Sequence, residues 1–119
     1  KNIELCGVQN CIVINEEPAK LVKKYSGFFN KILLDAPCSG ESMFRKDDKY
    51  IRAWEKYDYK NYIKIQLELL NIAAKLLKPD GIIVYSTCTY SIEENEMVVN
   101  KFLEGNNSFT INTSLPRNL

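Results

Sequence analysis

Two short apolar runs, Lys31-Ile32-Leu33-Leu34 and Ile82-Ile83-Val84-Tyr85-Ser86, flank a long segment with helical periodicity. Short continuous apolar runs bounded by turn signals read as buried strands. The segment between them, from about Lys60 to Lys78, repeats Ile63, Leu67, Leu70, Ala74 and Leu77 along one stripe of a helix. Strand, helix and strand in that order form a βαβ unit, whose strands run parallel and need cover on both faces. The pattern therefore predicts an α/β protein with a mostly parallel sheet and helices on both faces, one domain over residues 1–119.

The rest of the chain can be placed around this unit. Lys1 to Leu5 reads as the tail of a helix, with Gly7 as its C-terminal cap. Cys11-Ile12-Val13-Ile14 reads as a further short buried strand, followed by the polar loop Asn15-Glu16-Glu17-Pro18 and a helix from Ala19 to Tyr25. Lys75 and Lys78 suit the negative end of the long helix, and Pro79-Asp80-Gly81 stops it. Ser91-Ile92-Glu93-Glu94 is a capping box that opens a helix through Leu103. Gly105-Asn106-Asn107 closes that helix, and Phe109-Thr110-Ile111 is expected as a last strand.

Chemistry is concentrated after the two central strands. Asp35-Ala36-Pro37-Cys38-Ser39-Gly40 follows the first and Thr87-Cys88-Thr89 the second, so two thiols and a carboxylate stand beyond carboxyl ends of strands. Open α/β sheets build their sites on that edge. The chain contains no histidine. Ser-His and Cys-His nucleophile pairs and His-ligated metals are thereby excluded, and cysteine chemistry must be run by carboxylates, lysines and backbone groups. The four cysteines lack the paired spacing of a zinc site, so no metal is expected, and they are too sparse for a secreted disulfide framework. A reducing, cytoplasmic compartment follows, and Cys6 and Cys11 read as inert buried thiols. No run reaches the roughly 18 apolar residues of a membrane span. The net charge of +1 gives no global pull towards nucleic acid.

A local basic footprint does exist. Arg45, Lys46, Lys49, Arg52, Lys56 and Lys60 are interleaved with Phe44, Tyr50, Trp54, Tyr57, Tyr59 and Tyr62. Six basic residues face four acidic ones there, Asp47, Asp48, Glu55 and Asp58. Such a mixture can hold phosphates and stack unpaired bases. A solvated loop with its aromatics packed inward has the same composition.

Three stretches carry a family resemblance: Asp35-Ala36-Pro37-Cys38-Ser39-Gly40-Glu41, Met43-Phe44-Arg45-Lys46-Asp47, and Tyr85-Ser86-Thr87-Cys88-Thr89 with Glu93-Glu94-Asn95-Glu96. In order and spacing they resemble the RNA cytosine-5 methyltransferases of the Nop/Sun type, above all bacterial members acting on small-subunit ribosomal RNA. The resemblance implies part of a Rossmann-like class I methyltransferase fold, S-adenosylmethionine as cofactor, and RNA as partner, ribosomal first and transfer RNA second. It also implies roles: Cys88 as nucleophile, Cys38 in release of the product, Asp35 contacting base and cofactor, and Glu17 at the adenine end of the cofactor. The chemistry is coherent, because C5 of cytosine becomes nucleophilic only after a thiolate has added at C6. A helix opening at Ser91 would help by lowering the thiol pKa of Cys88.

The chain also departs from that pattern. It contains no Gly-x-Gly, so the family's glycine-rich cofactor loop is missing, and it opens in what resembles the helix before the third strand. The implied strand order, 3-2-1-4-5, would then leave Cys11 to Ile14 beside a gap. The 119 residues are expected to be a segment that holds the cofactor weakly alone. Two other readings compete. One is an amino-group methylase, in which Cys38 would occupy the place of a stacking aromatic. The other is a non-catalytic RNA-binding module built on Arg45 to Tyr62.

Overall fold

The computed structural model describes residues 2–47, 51–52 and 60–113. Lys49, Tyr50, Trp54, Lys56, Tyr57 and Tyr59 of the basic and aromatic stretch lie outside the described residues, as do Asp48, Glu55 and Asp58. In chain order the elements are α1 (Asn2–Leu5), α2 (Pro18–Tyr25), β1 (Phe29–Asp35), a 3-10 turn (Glu41–Arg45), α3 (Lys60–Leu76), β2 (Leu77–Ser86) and α4 (Glu96–Gly105).

β1 and β2 pair in parallel, with Lys31 opposite Ile82 and Asp35 opposite Ser86, so both strands end level. The first pair, Phe29 with Leu77, is out of step with the rest. Pro79-Asp80-Gly81 bulges from β2 there, with Asp80 in the left-handed region at φ 60°. The expected turn thus lies inside the strand rather than before it. The turn between α2 and β1 caps α3: Gly27 and Phe28 donate their N–H groups to the carbonyls of Lys75 and Leu76, each at 2.9 Å. Those carbonyls have no partner within their own helix. Gly27 can make this approach because it sits at φ 59°. At the other end of the chain, the N–H groups of Gly7 and Val8 close α1 on the carbonyls of Glu4 and Ile3, the Schellman arrangement expected of that glycine.

The core lies between the sheet and α3 and α4. Leu70, Val98 and Phe102 are buried, with Leu34, Ile83, Tyr85, Ile63 and Leu67 packed around them. Phe109 closes this cluster edge-on to Phe102, with ring centroids 5.2 Å apart. Burying each large side chain contributes roughly 1.5–3 kcal/mol.

Several expectations are corrected. Helices do not cover both faces of the sheet among the described residues. Side chains alternate across a strand, so Leu34, Ile83 and Tyr85 point to the helices while Leu33, 72% exposed, and Val84 point away. Cys11 to Ile14 is an exposed segment without a ladder, and Ile12 is 88% exposed. A strand is created by its hydrogen-bonding partner, and the described sheet has only the β1–β2 pair. Phe109 to Ile111 is likewise irregular, since Phe109 is used in helix packing. Cys6 and Cys11 are exposed rather than buried. The last helix becomes regular only at Glu96, after a turn over Ile92 to Asn95.

Candidate active site at the carboxyl edge of the sheet

Because β1 and β2 end level, the loops that follow them start side by side. The N–H of Ala36 donates to the carbonyl of Ser86 at 2.9 Å, carrying the pairing one residue past β1. Beyond it the two cysteines meet, with Cys38 Sγ 3.0 Å from Cys88 Sγ. The backbone N–H of Cys88 also donates to Cys38 Sγ at 3.2 Å. The two thiols differ in setting, since Cys88 is exposed and Cys38 half-buried. Burial pushes the Cys38 thiol up to about 11, helped by its hydrogen bond with Cys88. Cys38 therefore keeps its proton at neutral pH.

Asp35 closes β1 beside the pair. Its Oδ1 accepts a long hydrogen bond from Ser86 Oγ, at 3.3 Å, and the residue is exposed. Glu17 is not joined to this cluster. It precedes α2 with its side chain 75% exposed, and its ion pair is with Lys20, at 3.5 Å. No described hydrogen bond connects it to Asp35 or to either thiol. The helix start anticipated next to Cys88 has moved as well, because the regular helix opens at Glu96.

Side chains to which the sequence assigned no part in the site hold the two loops. Gln66, on α3, is fully buried and its Nε2 donates to the Pro37 carbonyl and to Glu94 Oε2, each at 2.9 Å. Glu94, also fully buried, accepts the N–H of Ser39 on the same oxygen at 3.0 Å. The capping box is thus half formed. Ser91 Oγ accepts the Glu94 N–H at 3.2 Å, while the Glu94 carboxylate turns inward to the Cys38 loop. Glu41 reaches the other way, its Oε2 accepting the Thr89 hydroxyl and the Tyr90 N–H, both at 2.8 Å. Thr89 Oγ1 accepts from Ser39 Oγ at 3.0 Å, and the Ser42 N–H donates to the Cys88 carbonyl at 3.1 Å. Tyr85 donates its hydroxyl to the Glu94 carbonyl at 2.8 Å. Burial, with Glu94 and Cys38 nearby, raises its pKa and secures that proton.

A pattern in the sequence could have revealed Gln66. With Ile63, Leu70, Ala73 and Leu77 it falls on an apolar stripe of alternating three- and four-residue steps, where a polar residue is out of place unless it is bonded. Glu94 likewise shares a four-residue spacing with the buried Val98 and Phe102.

Such an arrangement can do thiol chemistry: one exposed thiol, one protonated thiol in contact with it, and a carboxylate at the end of the neighbouring strand. Among the described residues no cluster of three or more His, Cys, Asp or Glu could hold a metal ion. No described helix is long and apolar enough to cross a membrane.

The family described as 16S rRNA methyltransferase RsmB/F matches residues 1–117. The chain is 41% identical over 97 residues to the ribosomal RNA small subunit methyltransferase F of Vibrio vulnificus strain YJ016, covering 82% of this chain and 21% of that protein. The protein of the same description from Psychromonas ingrahamii is 42% identical over 95 residues, covering 80% of this chain and 20% of the relative. The chain thus spans about a fifth of the length of these relatives. Among solved structures, the crystal structure of PH0851 superposes with a TM-score of 0.80 at 28% identity, covering 87% of this chain and 24% of that one.

Proposed function

Because this chain belongs to the 16S rRNA methyltransferase RsmB/F family, we propose that it carries the reacting edge of an enzyme that methylates C5 of a cytosine in RNA. Ribosomal RNA is the first substrate class, since the relatives are described as ribosomal RNA small subunit methyltransferases. One observation supports the reading most: the two thiols sit 3.0 Å apart just past adjacent parallel strands. An amino-group methylase would leave that pair without a task.

The residues divide the work by their settings. Cys88 is the exposed thiol and attacks C6 of the cytosine, forming the S–C6 bond and making C5 an enamine carbon. A carboxyl group that hydrogen-bonds N3 of the base favours this addition, and Asp35 at the strand end is the candidate. Once C5 is methylated, its proton passes to water, the electron pair of that C–H bond re-forms the C5–C6 double bond, and the sulfur of Cys88 is expelled as a thiolate. Cys38, in contact with that sulfur, assists this release.

The residues present fit S-adenosylmethionine at Asp35, whose exposed carboxylate is engaged only by the long Ser86 bond among its described hydrogen bonds. Glu17 would hold the adenine end, on a carboxylate already paired with Lys20. When bound, the cofactor supplies the methyl group from a sulfonium centre. Arg45 and Arg52, both exposed, offer cations to the RNA backbone. The test is methyl transfer by the intact protein to small-subunit ribosomal RNA and to transfer RNA, with bisulfite sequencing to locate 5-methylcytosine. Methylation at nitrogen, or none on either RNA, overturns the proposal.

A further inference from the structure

The hydrogen bonds around the thiols are reciprocal. Glu94 belongs to the segment that follows Cys88, yet its carboxylate holds the N–H of Ser39, next to Cys38. Glu41 belongs to the segment that follows Cys38, yet its carboxylate holds the N–H of Tyr90 and the hydroxyl of Thr89, next to Cys88. Each loop thus carries a carboxylate that grips the backbone of the other. Gln66 adds a third grip from α3, fastening the Pro37 carbonyl on the far side of Cys38 to the same Glu94 oxygen. Peptide groups directly before and after Cys38 are therefore both tied to the Cys88 side.

The arrangement is costly to bury. Gln66 and Glu94 are both fully buried, and among the described residues no donor reaches Gln66 Oε1 or Glu94 Oε1. Leaving a buried polar atom without a partner is destabilising. An apolar pair would fill the same space without that penalty but would release the Pro37 carbonyl and the Ser39 N–H, so what these side chains secure is the backbone on either side of Cys38.

We infer that Glu41 and Glu94, with Gln66, are positioning residues that act through the two loops to set the separation of Cys38 and Cys88. Resting on the reading of Cys38 as the group that assists release, this clasp governs how fast the finished RNA is let go. It touches no substrate atom itself.

The test separates spacing from chemistry. In the intact protein, with the exposed Cys6 and Cys11 changed to serine, Cys38 and Cys88 are equilibrated with oxidised and reduced glutathione. One oxidised glutathione takes both thiol protons and both electrons, giving the intramolecular disulfide and two reduced glutathiones. The equilibrium constant measures how well the fold presents the sulfurs to each other. Glu41→Ala is expected to lower it at least tenfold, or about 30 mV for this two-electron couple. Glu41→Gln, which keeps an oxygen for the Tyr90 N–H, should stay within about threefold of the parent. Glu94→Ala should follow Glu41→Ala; if it does not fold, the half-buried Glu41 carries the test alone. A folded Glu41→Ala protein with an unchanged constant overturns the inference.

On RNA, Glu41→Ala should accumulate covalent protein–RNA adduct at least tenfold over the parent, the outcome also expected of Cys38→Ala. If Cys38→Ala accumulates adduct and a weakened clasp does not, the link between spacing and release is refuted. If neither variant accumulates adduct while the glutathione constant still falls, the spacing role stands and the release role of Cys38 is what fails.

Discussion

Replacing Gln66 by leucine removes two hydrogen bonds at once, those from its Nε2 to the Pro37 carbonyl and to Glu94 Oε2, both 2.9 Å long. A net loss of roughly 0.5–1.5 kcal/mol is expected for the neutral bond, and somewhat more for the bond to the carboxylate. Leucine also removes Gln66 Oε1, for which no described donor exists, returning about 1–3 kcal/mol. The balance is a destabilisation of roughly 1–2 kcal/mol, smaller than the loss of two buried bonds suggests. Glu94→Leu deprives the Ser39 N–H of its acceptor as well and should cost more. In the double variant the bond between the two side chains can be lost only once. Its cost should therefore fall short of the summed single costs by about 1–3 kcal/mol. Urea unfolding of the four intact proteins measures the cycle. Additivity within about 0.5 kcal/mol would refute the buried Gln66–Glu94 bond on which the description of the loops depends.

Two other outcomes follow from local geometry. A β-carbon on Gly81 would stand 2.5 Å from Leu77 Cγ and 2.9 Å from the Lys78 carbonyl, so Gly81→Ala should destabilise by about 1–3 kcal/mol, read as a lower melting temperature. Because burial holds the Cys38 thiol neutral up to about pH 11, iodoacetamide labelling of Cys38, followed by peptide mass spectrometry, should be slow at pH 8 and climb through pH 11; a plateau already at pH 8 would contradict the burial.

The reach of the sequence can be judged residue by residue. The apolar runs at Ile32 and Ile83 identified both strands because each is continuous and bounded by turns, and the βαβ order made them parallel. That order also placed Cys38 and Cys88 on one edge, since each follows its strand closely. The run at Cys11 looked equally strand-like but depends on a partner, which its own residues do not encode. The apolar run of β1 suggested cover on both faces, whereas the exposed Leu33 shows that the far face lacks a described helix. Gln66 and Glu94 escaped for a different reason. Composition marks them as surface residues, and Ser91-x-x-Glu94 offered a complete local explanation for the carboxylate. Only the fold shows that this carboxylate serves the Cys38 loop, far away in sequence. Glu17 is the opposite case: its role at the cofactor came from the resemblance alone, and in the structure it is exposed and paired with Lys20, outside the hydrogen bonds that join the two loops.

The assignment of the two thiols is the central claim, and covalent capture tests it most directly. RNA containing 5-fluorocytosine traps a cysteine that has added to C6, because fluorine at C5 cannot leave as a proton does. The intact protein and its Cys38→Ala variant should both form an adduct that survives a denaturing gel, and Cys88→Ala should form none. Capture by Cys88→Ala together with loss of capture in Cys38→Ala would reverse the two roles, and no capture by the unmodified protein would remove the cysteine nucleophile altogether.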